Sequence, residues 1–372
     1  MDFYDYLQPW RDFDFHGFLD KVTDDDLGRA LTKDTLEPLD FLTLLSPRAA
    51  GFLEPMAQRA QAVTIRQFGR VILMFAPLYL ANYCTNRCAY CGFNAGNDIA
   101  RHKLSLGEVE AEAAALAVTG IRDVLFLTGE SRRESPPEYM RDCVRVLKRH
   151  FTNISLEVYP LEIDEYRMLN AAGVDGFTMF QECYNEARYA EVHLGGPKRV
   201  YRNRLDAPER ACKAGMRTVS LGALLGLHEF VSEAFFTGLH VYYLQHKYAA
   251  CDFAVSLPRL CPHVGAFEPY CTVTDRDIVQ NMTALRLFLP RVGVTVSTRE
   301  RPAFRDNLIG LGVTKMSAGS STEVGGYAGH TTSDQFDISD ERSVDEVCAA
   351  IRGKGWLPVF KDWQTIDKED II

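Results

Sequence analysis

Three closely spaced cysteines constrain this chain more than any other feature of its sequence. Cys84, Cys88 and Cys91 have C-x3-C-x2-C spacing and directly follow the apolar run 71–80. A structural zinc ion takes four protein ligands, so zinc would need a distant His or Cys to complete its site. A [4Fe–4S] cube has four irons, and three thiolates leave one iron open to a small molecule. Three cysteines directly after a predicted strand favour a [4Fe–4S] cluster with one open iron. A zinc site completed by a distant residue is the alternative.

The composition is typical of a globular protein without nucleic-acid or membrane-binding features. The chain has 372 residues, of which 47% are apolar and 24% charged, enough for one large core. A formal net charge of -9 and the lack of a basic tract argue against a nucleic-acid partner. Residues 1–18 are acidic and aromatic, unlike a signal peptide, and no apolar stretch reaches membrane-spanning length. Ten cysteines without an export signal therefore predict a reducing, cytoplasmic location and no membrane partner.

From residue 71 onward, short apolar runs alternate with amphipathic helical patterns. Eight such runs predict an α/β fold, a closed (βα)8 TIM-type barrel built from parallel βα units. Residues 1–70 are expected to form an N-terminal helical extension, the barrel to occupy 71–320, and residues 321–372 to pack on the barrel. The predicted strands are 78–82, 123–128, 155–159, 176–180, 218–222, 252–256, 292–296 and 313–316. The predicted helices between them include 108–118, 137–150, 162–172 and 207–214.

Polar residues follow most of the predicted strands. In such a barrel the active site lies at the carboxyl ends of the strands, so these residues converge on one rim. One polar strand end is ordinary, but the convergence favours a site for a polar ligand. The residues at these ends are the three cysteines, Thr128, Gly129, Glu130, Glu157, Glu182, Gly222, Arg259, Arg299, Ser317 and Ser320.

The cysteine stretch NYCTNRCAYCGF closely resembles the signature of the radical S-adenosylmethionine (SAM) enzymes, and Tyr90 matches its aromatic position. The resemblance implies that Cys84, Cys88 and Cys91 hold a [4Fe–4S] cluster. It also implies that the open iron of this cluster binds the amino and carboxylate groups of SAM.

The segment after the second predicted strand suits the SAM amino group. Thr128-Gly129-Glu130 resembles the Gly-Gly-Glu element of the superfamily, with Thr in the first position. Glycine lets the backbone approach closely, and carbonyl or carboxylate oxygens accept hydrogen bonds from an ammonium group. An ordinary strand-to-helix turn is the alternative.

Three further charged residues are candidates for SAM contacts. Arg204 can clamp the SAM carboxylate in a bidentate manner, although it also fits a basic surface patch at residues 198–204. Glu157 and Glu182 can accept hydrogen bonds from ribose hydroxyls, with solvated surface carboxylates as the alternative.

Arg299 is the predicted substrate residue. It follows the seventh strand, where a planar guanidinium can bind a second carboxylate, and Ser317 and Ser320 can donate to the same ligand. The alternative is a surface arrangement of Arg299 with Glu300, which is weakened because neighbouring strand residues point to opposite faces.

The remaining cysteines show no close metal-binding spacing and are expected to be free buried thiols. They are Cys143, Cys183, Cys212, Cys251, Cys261, Cys271 and Cys348.

Nearly the whole chain resembles the tyrosine lyases of bacterial thiamine synthesis, the 2-iminoacetate synthases. The resemblance implies radical cleavage of the L-tyrosine Cα–Cβ bond to p-cresol and 2-iminoacetate, from which thiazole synthase builds the thiazole ring. It also implies a flavodoxin-type electron donor, a complex with thiazole synthase, and hydrogen abstraction from the tyrosine amino group while Arg299 holds the carboxylate. The motifs on which this family resemblance rests are LSP (45–47), PLYL (77–80), LTGE (127–130), QE (181–182), LGAL (221–224), STRE (297–300), GGY (325–327) and KDW (361–363).

A hydrogenase-maturation tyrosine lyase is the nearest alternative, since the stretch SAGS at 317–320 also fits that family. That family carries a C-terminal extension with cysteines for a second cluster, whereas here only Cys348 lies beyond Cys271. A tryptophan lyase also stays open. The alternatives from other classes are a structural zinc protein and an iron–sulfur electron carrier.

Overall fold

The computed structural model describes residues 1–260, 267–329 and 333–361, and its centre is a closed barrel of parallel strands. Strands β1 to β8 follow one another around the barrel, and β1 pairs with both β2 and β8. The predicted (βα)8 barrel is therefore confirmed. The strands are β1 (Val71–Ala81), β2 (Asp123–Thr128), β3 (Asn153–Glu157), β4 (Gly176–Glu182), β5 (Thr218–Ala223), β6 (Asp252–Ser256), β7 (Gly293–Val296), β8 (Lys315–Ser317) and β9 (Leu357–Val359).

Helices precede β1, connect the barrel strands and follow β8. Several begin at capping boxes, such as the one in which Ser105 and Glu108 exchange side-chain and backbone hydrogen bonds. Within the described ranges no helix is long and apolar enough to cross a membrane. The helices are α1 (Phe3–Tyr6), α2 (Gln8–Arg11), α3 (Phe15–Leu19), α4 (Asp24–Thr32), α5 (Pro38–Leu44), α6 (Leu53–Phe68), α7 (Leu106–Val118), α8 (Pro137–Leu147), α9 (Ile163–Ala172), α10 (Glu186–Val192), α11 (Tyr201–Leu205), α12 (Ala207–Lys213), α13 (Phe230–Lys247), α14 (Asp275–Phe288), α15 (Pro302–Leu308) and α16 (Val344–Gly353).

The first strand is longer than the sequence predicted. It begins at Val71 rather than at residue 78, and it ends before Asn82. The part around Met74 pairs with β8, whereas the part from Ala76 onward pairs with β2. The complete apolar run is therefore needed to close the barrel.

The third strand begins and ends two residues before its prediction, because pairing with β2 already starts at Asn153. Glu157 is consequently the last residue of β3 and lies at the rim. The other predicted strands overlap the observed ones, with ends that agree or shift by one or two residues.

The N-terminal helices pack against α13 and α14. Phe41 of α5 stacks on Phe288 with ring centroids 4.7 Å apart. A side chain larger than hydrogen at Gly238 would collide with the Phe41 ring, so glycine lets α13 approach α5. The Gln280 amide of α14 donates to the Leu44 carbonyl at 3.0 Å and the Ser46 carbonyl at 2.8 Å. These contacts join the N-terminal helices to the outer face of the barrel.

The C-terminal segment adds to both ends of the barrel. Strand β9 pairs with the start of β1, at Val71 to Leu73. Near the rim, the fully buried Arg305 of α15 forms an ion pair with the fully buried Asp340 and donates to the Ser317 carbonyl. This pair ties the chain after β8 to the last strands of the barrel.

The cysteines outside the trio are only partly as predicted. Cys143, Cys183 and Cys348 are buried free thiols. Cys212, Cys251 and Cys271 are half-buried. Cys261 and the Asp362 and Trp363 of the KDW motif lie outside the described residues.

Candidate active site

The cysteine loop, residues 82–97, leaves the rim end of β1 and is held by one arginine. The Arg101 guanidinium donates to the carbonyl oxygens of Asn82 at 2.7 Å, Phe93 at 3.0 Å and Asn94 at 2.7 Å. The buried Asn82 side chain in turn donates to the Ala100 carbonyl at 2.8 Å. Because Arg101 binds carbonyls near both ends of the loop, it holds the backbone that carries the three thiols.

A second support pairs the loop with residues 192–195 in an antiparallel manner. The Arg87 N–H donates to the Gly195 carbonyl at 2.9 Å, and the Leu194 N–H donates to the Arg87 carbonyl at 2.8 Å. The Ala89 N–H donates to the Val192 carbonyl at 2.9 Å. The middle of the cysteine loop is thus held by the last residue of α10 and the segment that follows it.

Tyr90 is fixed by a buried histidine that the sequence did not single out. The His193 Nδ1 lies 2.7 Å from the Tyr189 carbonyl, so Nδ1 carries the hydrogen and donates it. The Nε2 atom then accepts from the Tyr90 hydroxyl, 2.8 Å away. Burial lowers the pKa of His193 to about 3, so this histidine is neutral. The aromatic position of the cysteine motif therefore has one fixed orientation.

The three thiols lie in a buried setting next to a cation. Burial raises the pKa of Cys84, Cys88 and Cys91, and the nearby Lys198 ammonium opposes this effect. Cys91 lines the internal cavity of the barrel, and Cys88 is buried. Iron binds thiolate rather than thiol, so loading the site releases protons, and Lys198 favours that ionisation.

The surroundings of the thiols offer polar and close backbone contacts that suit a cluster with SAM. In the described part of the chain, no three His, Cys, Asp or Glu side chains are gathered closely enough to hold one ion. A cube, whose irons each take a different thiolate, needs a wider spacing. The Thr128 hydroxyl is buried without a hydrogen-bond partner among the described residues, which leaves a polar atom for a ligand. A side chain at Gly129 would overlap the Tyr83 carbonyl, so glycine lets the end of β2 approach the cysteine loop.

Four charged residues form an ion-pair hub at the rim: Arg204, Lys198, Glu130 and Glu182. Arg204 donates to the Phe180 carbonyl at 2.6 Å, to Glu130 at 2.8 Å and to Glu182 at 3.2 Å. Lys198 donates to Glu182 at 2.7 Å. Burial alone would raise the pKa of both carboxyls, but Arg204 and Lys198 outweigh it and hold both pKa values below their ordinary range. The two cations and two carboxylates balance, so the hub is electrically neutral.

The hub also excludes one of the two interpretations of Arg204. Its side chain is 5% exposed, so it does not belong to a basic surface patch. Lys198, which the sequence placed in the same patch, points into the hub and lines the cavity. The Asn86 side chain of the cysteine loop donates to Glu130 at 2.7 Å and accepts from the Lys198 backbone N–H at 2.9 Å. The hub is therefore connected directly to the cysteine loop.

Glu182 reaches the hub from a strained backbone. Its φ of 69° lies in the left-handed region. In the part of the chain that the structure describes, no other non-glycine residue has a positive φ. The pairing of β4 with β5 is irregular at this point, between Phe180 and Glu182. Strain of this kind persists where surrounding contacts require it, and here the carboxylate is held by Arg204 and Lys198.

Glu157 differs from the hub carboxyls. It lines the cavity from the end of β3. Burial raises the pKa of Glu157 to about 7, and the negative charge of Glu182 is the second cause of this increase. Near neutral pH it therefore exists in both protonation states and can donate to or accept from a ligand hydroxyl.

Arg299 lies across the cavity from the hub. Its Cζ atom is 3.4 Å from the centre of the Phe336 ring, and both residues line the cavity. Glu300 pairs instead with Arg259, whose Nε donates to it at 2.8 Å. The alternative of an Arg299–Glu300 surface arrangement therefore fails.

Two serines accompany Arg299. The Ser317 hydroxyl, at the end of β8, accepts from the Thr298 backbone N–H at 3.0 Å and can still donate to a ligand. The Ser320 hydroxyl is buried without a partner among the described residues. Ser317 lines the cavity with Arg299.

A cavity of about 230 Å³ joins the two sides of this site. Its walls bring together about half of the predicted site residues, namely Tyr90, Cys91, Glu157, Glu182, Arg299 and Ser317. The residues that line this cavity do not include Thr128, Gly129, Glu130, Arg204, Cys84 or Cys88. Polar and aromatic wall residues include Tyr79, Tyr90, Cys91, Glu157, Glu182, Lys198, Arg299, Ser317, Gln335 and Phe336. The sequence signalled neither Gln335 nor Phe336, because they follow the last barrel strand at a distance and belong to no motif.

The chain matches two protein families. Residues 78–234 match the Radical SAM superfamily, and residues 256–357 match the Biotin and Thiamin Synthesis associated domain. The chain is 38% identical over 365 residues to a 2-iminoacetate synthase of Escherichia coli (strain K12), an alignment that covers 97% of each protein.

Two solved structures are similar in fold. The FeFe-hydrogenase maturase HydG from Carboxydothermus hydrogenoformans is 31% identical, with a TM-score of 0.87 over 94% of this chain and 83% of that chain. Methylornithine synthase (PylB) is 18% identical, with a TM-score of 0.72 over 90% of this chain and 97% of that chain. The second likeness shows the fold alone.

The Gly129→Ala variant should incorporate less iron than the parent protein. The added methyl group would overlap the Tyr83 carbonyl, and relieving such overpacking costs about 1–3 kcal/mol and displaces the loop. Iron and sulfide per chain after anaerobic reconstitution measure the effect. Gly107→Ala is the matched control, because nothing lies within 4 Å of its new methyl group. Equal iron content in both variants would contradict the close fit of β2 to the loop.

In the cluster-free protein, Glu157 should make stability fall between about pH 4.5 and 7. Its folded pKa, about 7, exceeds the ordinary value of 4.5, so in this window the folded protein keeps a proton that the unfolded chain has released. Its contribution to the free energy of unfolding is complete below this window and lost above it. Urea unfolding across this range should show a shallower decline for Glu157→Gln than for the exposed control Glu341→Gln. Identical slopes would mean that Glu157 titrates normally.

Proposed function

The chain belongs to the 2-iminoacetate synthase family of radical SAM enzymes, and we propose that its barrel cavity binds L-tyrosine with the carboxylate on Arg299. The enzyme is a carbon–carbon lyase whose reaction is cleavage of the L-tyrosine Cα–Cβ bond to p-cresol and 2-iminoacetate. The observation that carries the binding proposal is the shared cavity, in which Arg299 faces the wall that contains Cys91 and Tyr90.

We propose that Cys84, Cys88 and Cys91 hold the [4Fe–4S] cluster. The cluster and SAM together supply the radical that starts the reaction. The chain supplies the positions: Arg101 and residues 192–195 hold the cysteine loop. The buried setting excludes water and stray hydrogen donors from the cavity.

SAM is proposed to lie between the cysteine loop and the ion-pair hub. Its amino group would meet the segment Thr128 to Glu130, where the buried Thr128 hydroxyl has no partner among the described residues. Arg204 donates to three protein oxygens and a guanidinium carries five N–H donors, so it can add the SAM carboxylate without losing those bonds. Glu157 and Glu182 would receive the ribose hydroxyls from the cavity wall.

The substrate is proposed to lie with its amino acid end between Arg299 and the cysteine loop. A planar guanidinium binds a carboxylate through two parallel hydrogen bonds, and the Ser317 hydroxyl can add a third. Apolar wall residues, including Leu125, Leu127 and Phe177, offer surface for the phenol ring. The substrate amino group would then face the side from which the radical comes.

We also propose the partners that the family resemblance implies. Thiazole synthase would receive 2-iminoacetate, a flavodoxin-type protein would supply the electron, and the enzyme would work in the cytoplasm. The match of residues 256–357 to the Biotin and Thiamin Synthesis associated domain supports the thiamine pathway over hydrogenase maturation.

The reconstituted protein, with SAM, a strong reductant and L-tyrosine under anaerobic conditions, should form p-cresol and 5′-deoxyadenosine in step. Cys88→Ala should abolish both products, and the control Cys251→Ala, at a half-buried cysteine outside the loop, should retain them. SAM cleavage without consumption of L-tyrosine would contradict the assignment of L-tyrosine as the substrate. Cyanide among the products would indicate the hydrogenase-maturation reaction, and cleavage of L-tryptophan would indicate a tryptophan lyase.

Arg299→Ala should raise the KM for L-tyrosine about 10- to 100-fold, because charge-assisted hydrogen bonds to the carboxylate are lost. Arg299→Lys should recover only part of the loss, since lysine keeps the charge but not the planar fork. The matched control is Arg301→Ala, an exposed arginine that pairs with Asp275. An unchanged KM in Arg299→Ala would refute the assignment of the carboxylate site.

A further inference from the structure

A strap across the barrel mouth, residues 334–340, connects the cysteine loop to Arg299. At its first end, the Tyr79 hydroxyl donates to the Gln335 side-chain oxygen at 2.7 Å, and the Gln335 amide nitrogen lies 3.9 Å from the Cys91 sulfur. A side chain at Gly92 would lie 2.5 Å from the Gln335 carbonyl. The strap therefore rests directly on the cysteine loop, at a contact that requires glycine.

The other end of the strap is fixed to the strands next to Arg299. The backbone N–H groups of Ser339 and Asp340 donate to the Thr298 carbonyl at 3.0 Å and 3.1 Å. Asp340 forms the fully buried ion pair with Arg305. Since Thr298 directly precedes Arg299, the strap and the arginine share one backbone support.

The middle of the strap is held as well. The Thr322 hydroxyl lies 2.6 Å from an Asp334 carboxylate oxygen and 3.1 Å from the Phe336 carbonyl. The Phe336 backbone is thus tied to the chain that follows β8. Its ring is turned inward and lines the cavity.

The ring of Phe336 lies against the guanidinium of Arg299. The 3.4 Å distance from Cζ to the ring centre is that of direct face contact, in which the cation meets the negative face of the ring. A guanidinium that lies flat on an aromatic ring directs its N–H donors outward in its own plane. Stacking of this kind holds the plane of the guanidinium and removes rotamer freedom from the Arg299 side chain before a ligand arrives.

We propose that Phe336 is a positioning residue of the substrate site, which orients the Arg299 guanidinium for the substrate carboxylate. This inference rests on the proposed role of Arg299. It gives the strap a function in substrate selection: amino acids with a free carboxylate gain from the preorganised fork, and analogues without one do not.

The test uses the full-length reconstituted enzyme and two variants of one position. Phe336→Leu keeps an apolar side chain but removes the aromatic face, so the KM for L-tyrosine should rise about 3- to 30-fold with little change in kcat. Phe336→Tyr keeps the face and should behave like the parent. SAM cleavage in the absence of tyrosine should be equal in all three proteins, because Phe336 acts on the substrate side.

Tyramine, which has the tyrosine ring and amino group but no carboxylate, separates orientation of Arg299 from simple packing. Its inhibition constant should be the same for the parent and Phe336→Leu. An equal weakening of tyramine and L-tyrosine would assign Phe336 to the ring pocket and overturn the proposal. An iron content that falls in step with activity in Phe336→Leu would assign it to support of the cysteine loop, which also overturns it.

Arg299→Ala in the same assay distinguishes a failure of the proposed carboxylate site from a failure of the proposed role of Phe336. If Arg299→Ala leaves the KM for L-tyrosine unchanged, the proposed carboxylate site itself is wrong. If Arg299→Ala raises this KM while Phe336→Leu matches the parent, the carboxylate site stands and the role of Phe336 is refuted.

Discussion

The buried pairing of Arg204 with two carboxylates is the interaction on which the rim next to the cysteine loop depends. Moving a charge out of water costs several kcal/mol per ion, so such a group persists only when every member is satisfied. Arg204 comes from α11, Glu130 follows β2, and Glu182 ends β4. One guanidinium therefore holds three elements of the rim together, and Asn86 extends the network into the cysteine loop.

The barrel gives this network an opposite wall. Strands β7 and β8 end at the rim across the cavity, where Arg299 and Ser317 line it. The hub next to the cysteine loop and the wall with Arg299 thus border one cavity, and the closed sheet sets the separation between them. The strap crosses between them and contacts both, through Gln335 and Phe336.

The parts of the site that sequence could predict are carried by local patterns. Cysteine spacing, the alternation of apolar and amphipathic segments, and a polar residue directly after a strand all act within a few residues. For this reason the barrel was predicted correctly and Arg299 was placed on the rim. The strand ends were less certain, as at β1 and β3, because pairing between strands decides where a strand begins. The contacts that orient the site were missed where partners lie far apart in the chain, as Tyr90 and His193 do.

The sequence by itself determined the chemistry available to this protein: three thiols on one loop, carboxylates and arginines at strand ends, and a barrel that gathers strand ends on one rim. Only the tertiary structure decided which charges are buried together, that Lys198 belongs to the hub, and that Phe336 lies under Arg299. The physical reason is that burial and ion pairing depend on distance in space. A basic run or a lone phenylalanine has the same sequence whether it lies in water or inside a cavity.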